Sequence, residues 1–300
     1  MIIALLGPTA TGKTALSIDI ANEFDGEIVS CDSVAVYKGF DIGSAKPTKE
    51  ERERAVFHLV DFADPKTTYN VGEFQRDSHK IIDDILKRGK LPILSGGSGL
   101  YAQAALEGID KVPAIPADIR EKVNSLIEND YEGAVKTFLE IDPKRASQTD
   151  LKNPRRVAKA LEIYYTTGKA PSVVYEESQK PERPPYAAFC LTADKDVLID
   201  RINKRVDMMV KAGLFEETEA LLKSGVPKDA QPMTSIGYRE CVEFFEGLLT
   251  KEEAIEKIKI STRQFAKRQR TWFRAKNVIW VDIKDKDIIF NKIKASVKVD

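Results

Sequence analysis

Histidine, cysteine, tryptophan and methionine are all scarce in this chain, at two, three, two and four residues among 300. Cys31, Cys190 and Cys241 stand too far apart for a CxxC metal knuckle, and their odd number excludes a disulfide framework built on all of them. His58 and His79 have no partner constellation and are read as structural. No apolar run approaches the ~20 residues of a membrane span. The opening MIIALLG is too short for a secretory core and carries no basic flank. A surplus of charge is missing too, since 47 Lys and Arg balance 47 Asp and Glu. That balance weighs against a partner recognised by bulk charge, unless the charges are segregated. A reduced, cytoplasmic protein with no membrane attachment is expected. At 42% hydrophobic and 31% charged, 300 residues suffice for one large domain or two smaller ones.

Strands and helices alternate through the first ninety residues. Ile2 to Leu6 is a short apolar run, followed by a glycine-rich turn and a helical stretch from Lys13 to Phe24. Glu27 to Cys31 predicts a second strand, Val56 to Val60 a third, and Leu91 to Leu94 another, with an amphipathic helix over Val71 to Arg88. Such alternation points to a parallel sheet covered on both faces. From about Pro113 the pattern turns helical, over Asp118 to Ile127, Tyr131 to Leu139 and Pro154 to Tyr165. Prolines 181, 184 and 185 mark a stiff boundary, after which Ala187 to Leu191 predicts a strand and helices resume from Val197. The expected fold is α/β: a P-loop NTPase-like parallel sheet with helices on both faces, formed by residues 1–112 and 183–300. Residues 113–182 form an inserted all-helical domain.

The strongest local signal is Gly7, Pro8, Thr9, Ala10, Thr11, Gly12, Lys13 and Thr14, which satisfies G-x4-G-K-[ST] directly between a strand and a helix. Backbone N–H groups of such a loop converge on phosphate oxygens, with Lys13 neutralising charge and the Thr14 hydroxyl ligating Mg²⁺. A Walker-B aspartate is weakly signalled. Leu91 to Leu94 runs into Ser95-Gly96-Gly97-Ser98, and Asp61 is an ordinary candidate. ATP hydrolysis is therefore poorly supported.

The second strand ends in Ser30-Cys31-Asp32-Ser33, where a doubly wound sheet forms its ligand crevice. Asp32 there suits a general base, although aspartate in that setting also caps turns. Arg201 and Arg205, one turn apart, could face the leaving charge or pair with neighbouring acids such as Asp200.

The neutral average conceals two cationic faces. Arg263, Lys267, Arg270 and Arg274 follow steps of 4, 3 and 4, and so fall within roughly 60° of a helix. Arg268 and Lys276 lie in the same acid-free segment, while Ala254, Ile258, Phe265 and Trp272 are assigned to the opposite, core-facing side. In the insertion, Lys152, Arg155, Arg156 and Lys159 form a second group. Two such faces together with a phosphate loop favour a long polyanion. On the residues alone, a P-loop kinase using Asp32 as base and an RNA-binding regulator with a nucleotide sensor both stay open.

The motifs resemble the tRNA dimethylallyltransferase family nearly end to end. They include GPTATGKT at 7–14, Asp32-Ser33 with Tyr37 to Gly43, Ala45-Lys46-Pro47 and Phe57 to Asp61. Gly96 to Tyr101, Asn153 to Arg156, Ser235 to Arg239 and Thr262 to Trp272 follow. The resemblance implies transfer of dimethylallyl from its diphosphate, the co-substrate, to N6 of the adenine 3′ of the anticodon in tRNA. The loop at 7–14 then holds the donor's diphosphate rather than ATP, with Mg²⁺ on Thr14. Asp32 matches the general base, and Lys13, Thr14 and Arg205 assist the leaving group. Contacts to tRNA are implied at Asp32, Ser33, Val34, Ala35, Ser98, Gln103 and Arg120, and at Arg155, Arg156, Val157, Ala158 and Lys159. Others are implied at Thr234, Gly237, Tyr238, Arg239, Arg263, Lys267, Arg268, Arg270 and Arg274. A monomer is expected, and the absent zinc-finger tail implies no structural zinc. Prenylation of free adenine nucleotides is the weaker alternative, because it leaves the stripe at 263–274 without a use.

Overall fold

The structure, a computed structural model, describes residues 1–110 and 112–297. Five fully buried residues form β1 (Ile2–Leu6), which leads through the glycine-rich loop into α1 (Lys13–Glu23) and β2 (Gly26–Cys31). Then come α2 (Lys49–Arg54), β3 (Phe57–His58), α3 (Val71–Lys87), β4 (Leu91–Gly96) and α4 (Gly99–Leu106). Capping boxes start α2 at Thr48 and α3 at Asn70, each closed by a glutamate three residues on. β3 is shorter than Val56 to Val60 because Leu59 and Asp61 take φ of 58° and 60°, which turns the chain off the ladder.

Five helices follow: α5 (Ala117–Asn129), α6 (Tyr131–Ile141), α7 (Pro143–Ala146), α8 (Pro154–Thr167) and α9 (Pro171–Glu177). They enclose a core of Val123, Ala134, Phe138, Ala146, Val157, Ala160 and Leu161. The chain returns as β5 (Tyr186–Thr192), α10 (Lys195–Lys211), α11 (Leu214–Lys223), α12 (Tyr238–Phe245), α13 (Lys251–Arg274), β6 (Ile279–Asp282) and α14 (Asp287–Val297). Two compact units result, Met1–Glu107 with Arg183–Asp300, and Gly108–Glu182.

In the first unit the strands pair in parallel in the order β3-β2-β4-β1-β5-β6. Ile3, Leu5, Ile28 and Ile93 point to one face, where α1 and α14 cover them through Leu16, Ile18, Ile20, Ile289 and Ile293. The alternate residues Ile2, Ala4, Leu6, Val29 and Leu94 are equally buried, with α3 packed against β2 and β4 on their side. Burial on both faces explains why these strands read as continuous apolar runs.

The strand order sets the site. β4 lies between β1 and β2, so the turns after all three carboxyl ends open into one crevice. Gly7 and Gly96 permit this closeness. A Cβ on Gly7 would lie 2.7 Å from the Leu191 carbonyl oxygen, and one on Gly96 would lie 2.1 Å from that of Cys31.

Candidate active site

The phosphate loop needs left-handed backbone at three points, Gly7 at φ 138°, Ala10 at 64° and Gly12 at 80°. Gly12 caps α1, so the positive end of that helix faces the loop. Thr11 Oγ1 and Lys13 Nζ both donate to the Pro8 carbonyl, at 2.9 Å and 2.7 Å. Burial, reinforced by the Arg205 cation, lowers Lys13 from its ordinary value to about 8, against the opposing pull of Asp32. Arg205, half-buried on α10, is lowered by burial in turn, with Asp32 opposing the shift. Asp200 pairs with Lys204 at 2.8 Å, so Arg205 does not depend on that acid.

Asp32 caps a turn and also faces the crevice. Its Oδ1 accepts from the N–H groups of Val34 at 2.8 Å and Ala35 at 3.1 Å, capping the turn that follows β2. The carboxylate also lines a cavity of about 580 Å³, together with Lys13, Thr14 and Arg205. Thr9, Ala10, Gly12, Ser33, Val34, Ala35, Ser98, Thr234, Gly237 and Arg268 line the same cavity. Apolar surface comes from Ile28, Phe57, Val206, Met209, Ile258 and Phe265. The space is cationic at the phosphate loop, acidic at Asp32 and greasy on the side of α10 and α13. That combination suits a diphosphate carrying a short hydrocarbon.

Comparison with known proteins assigns the chain. The IPP transferase family model matches residues 35–276, and the isopentenyl transferase model matches residues 1–58. The tRNA dimethylallyltransferase of Exiguobacterium sp. is 46% identical over 291 residues, spanning 94% of this chain and 90% of that one. The chain belongs to the tRNA dimethylallyltransferase family. The Thermomicrobium roseum relative is 43% identical, over 94% of this chain and 86% of that one. Among solved structures, the full-length tRNA isopentenylpyrophosphate transferase of Bacillus halodurans superposes with a TM-score of 0.73. It is 38% identical and covers 99% of this chain and 96% of that one. A eukaryotic dimethylallyltransferase acting on tRNA gives a TM-score of 0.80 at 29% identity, over 94% of this chain and 73% of that one.

Within this dimethylallyltransferase fold, Asp61 is not a Walker-B residue. It is absent from the cavity lining and binds Lys46 Nζ at 2.8 Å and Arg52 at 3.5 Å. Lys46 also donates to the Tyr37 carbonyl at 2.8 Å, which pins the polar loop after Asp32. That loop has a second anchor that sequence reasoning missed. The Glu217 carboxylate accepts from the N–H groups of Asp41 at 3.1 Å, Ile42 at 2.8 Å and Gly43 at 3.2 Å, and from the Tyr238 hydroxyl at 2.6 Å.

The stripe on α13 needs correction. Arg263 is half-buried and donates to Asn203 Oδ1 at 2.8 Å and to Glu256 at 3.1 Å. Arg270 is half-buried, with its Nε shielded and without a hydrogen-bond partner. Only Lys267 and Arg274 of the four are exposed, while Arg268 turns to the cavity. The buried face runs through Ala254, Ile258, Ala266, Gln269 and Phe273, and Phe265 and Trp272 are 37% and 38% exposed. The spacing permitted either face, and contact with α10 and α12 selected this one. Gln269 falls within the Thr262 to Trp272 motif and the stretch Lys267 to Arg274 implied to contact tRNA. Its tie to the phosphate loop was missed although it is in step with Ala266 and Phe273, an uncharged residue in a basic segment. Its Oε1 accepts from the Thr9 N–H at 2.9 Å, and its Nε2 donates to the Gly97 carbonyl at 3.0 Å.

Three implied tRNA contacts lie elsewhere. Tyr238 and Val157 are wholly buried, Tyr238 against Glu217 and Val157 in the helical core. Gln103 accepts from Lys276 at 3.2 Å and lines a separate small hollow beside Trp272. Exposed cations remain at Arg239 in the first unit, and at Arg120, Arg155, Arg156 and Lys159 in the second, where Ala158 is half-buried.

Proposed function

We propose that the chain transfers the dimethylallyl group of dimethylallyl diphosphate to the exocyclic N6 of the adenine 3′ of the tRNA anticodon, in the cytoplasm and as a monomer. One observation carries this reading: Asp32, Lys13, Thr14 and Arg205 line a single cavity with an apolar wall. The loop at 7–14 cradles the diphosphate, with Lys13 and Arg205 facing the negative charge that develops as the allylic C–O bond breaks. The N6 lone pair forms the new C–N bond, the C–O electrons leave with the diphosphate, and Asp32 takes the N6 proton. A stacked base cannot present N6 to a cleft, so the adenine enters flipped out of its loop.

Thr14 brings a hydroxyl to this cavity, and no group of three or more His, Cys, Asp or Glu gathers as a metal cage among the described residues. A single hard oxygen donor of this kind fits Mg²⁺, which Thr14 would hold at the diphosphate end of the cavity. When bound there, Mg²⁺ supplies charge neutralisation on the diphosphate. Ser98, Thr234, Arg239, Lys267, Arg268 and Arg274 on the first unit, and Arg120, Arg155, Arg156 and Lys159 on the second, are assigned to the RNA. Pro154 opens α8 on an Asn153 cap, with no acid in the first turn. Arg155 and Arg156 thus stand where a helix end favours anions, an arrangement that suits RNA phosphate.

Mass spectrometry of tRNA incubated with dimethylallyl diphosphate, and separately with ATP, tests this reading. A single added C5H8 on adenine, formed only with the prenyl donor, is expected. Unmodified tRNA would overturn the assignment.

A further inference from the structure

The phosphate loop is not held by its chain neighbours alone. Ala10 sits at φ 64°, a left-handed conformation that is unfavourable for a residue with a Cβ. Such a residue persists only where its surroundings over-determine it. Here Ala10 packs against Leu198 and Ile202 of α10 and Ala266 of α13. The preceding N–H, that of Thr9, is held by Gln269, about one turn further along α13. Because the same amide also holds the Gly97 carbonyl, one side chain ties the loop after β1 to the turn after β4. It is 6% exposed and neutral between the cations Arg268 and Arg270.

We infer that Gln269 is a positioning residue for the diphosphate: by holding the Thr9 N–H and the Gly97 carbonyl together, it sets the left-handed turn at Ala10 and the direction of the loop N–H groups that follow. The inference rests on the proposed diphosphate occupancy of the loop and not on the transfer step. An amide is the group required, since it accepts and donates at once without charge. An alkyl chain would leave both backbone groups unpaired, and a carboxylate would confront the Gly97 carbonyl and the diphosphate.

Titration calorimetry with inorganic pyrophosphate tests this on wild type, Gln269→Ala and Gln269→Glu, alongside steady-state kinetics and binding of an anticodon stem-loop. Gln269→Ala is expected to weaken pyrophosphate and raise the KM for dimethylallyl diphosphate about tenfold, with saturated kcat and RNA affinity within about threefold. The carboxyl introduced by Gln269→Glu copies the amide's donor and acceptor only when protonated. Its deficit relative to wild type is therefore large near pH 8 and shrinks near pH 6. Lys13, Asp32, Glu51, Arg205 and Arg268 line the same cavity in both proteins, and pyrophosphate titrates with both, so their effects cancel to first order in that ratio. This comparison is made within one folded sample, and so survives any loss of stability in the alanine variant.

Pyrophosphate affinity unchanged in Gln269→Ala, an equal loss of RNA affinity, or a pH-independent deficit in Gln269→Glu would each overturn the inference. Wild type that binds pyrophosphate but leaves tRNA unmodified would overturn the transferase reading, while the affinity ratios still decide the role of Gln269. Wild type that does not bind pyrophosphate would overturn both.

Discussion

The ε-ammonium of Lys13 donates to the carbonyl oxygen of Pro8 at 2.7 Å, so the cation is parked on the rim of its own phosphate loop. Burial and the neighbouring Arg205 bring it down to about 8, so it loses its charge just above neutrality in the free protein. In the proposed reaction the protonated form is the one that attracts diphosphate. The kcat/KM for dimethylallyl diphosphate should therefore be high below pH 8 and fall as pH rises through it. Lys13→Met should remove that limb and lower kcat/KM by about 100-fold or more. A limb near the ordinary lysine value would contradict the burial argument.

Asp32 caps its turn through Oδ1, a role that asparagine can copy with its side-chain oxygen. Asp32→Asn should thus preserve the turn while removing the proton acceptor. The expected result is a fall in kcat of about 10²–10⁴, with donor affinity changed by less than about threefold. Single-turnover kinetics and calorimetry separate the two quantities, and a near-normal kcat would remove Asp32 as base.

Tyr238 is wholly buried, and its hydroxyl meets Glu217 at 2.6 Å. Tyr238→Phe should cost about 1–2 kcal/mol of stability through this lost charge-assisted bond. RNA affinity measured beside urea unfolding should stay put, whereas a direct contact would show as weaker binding with unchanged stability.

Salt dependence distinguishes the free cations from the committed ones. Lys267→Ala and Arg274→Ala should each reduce the slope of log K for RNA against log salt by about one. Arg263 already answers to Glu256 and Asn203, so Arg263→Ala should change that slope much less.

Glu27 lies far from this chemistry, yet it controls acid stability. Its buried carboxylate accepts from Arg88 and from His58 at 2.8 Å, and these partners, Arg88 foremost, hold it at about 2 against the desolvation that opposes them. A carboxylate lowered on folding contributes stability that is present above its ordinary range near 4.5 and is lost as pH falls toward 2. Urea unfolding should show Glu27→Gln less stable by on the order of 2 kcal/mol at neutral pH, with the gap narrowing below about pH 4.5 and closing only near pH 2. A gap that did not shrink between pH 5 and pH 2 would point to packing instead.

The phosphate loop, the strand–helix alternation and the helical insertion were legible in the residues because each depends on short-range chemistry. Glycines at 7 and 12 permit φ that other residues resist, and buried parallel strands must be apolar throughout. Asp32 was legible for a related reason, since the end of a parallel strand is where such sheets expose side chains to ligands. The face of α13 was not. Both arcs of that helix carry a 3.6-residue pattern, and only packing against α10 and α12 turned Gln269 inward, half-buried Arg270 and left Trp272 partly exposed.

By itself the sequence determined that a phosphate loop, an acid at the next strand end and segregated cations share one chain. Tertiary structure alone decided which groups meet: Gln269 reaches Thr9 across 260 residues, and Glu217 reaches Ile42 across 175. Spacing along a helix specifies a direction around its axis, but the partner lying in that direction exists only after the chain has closed on itself.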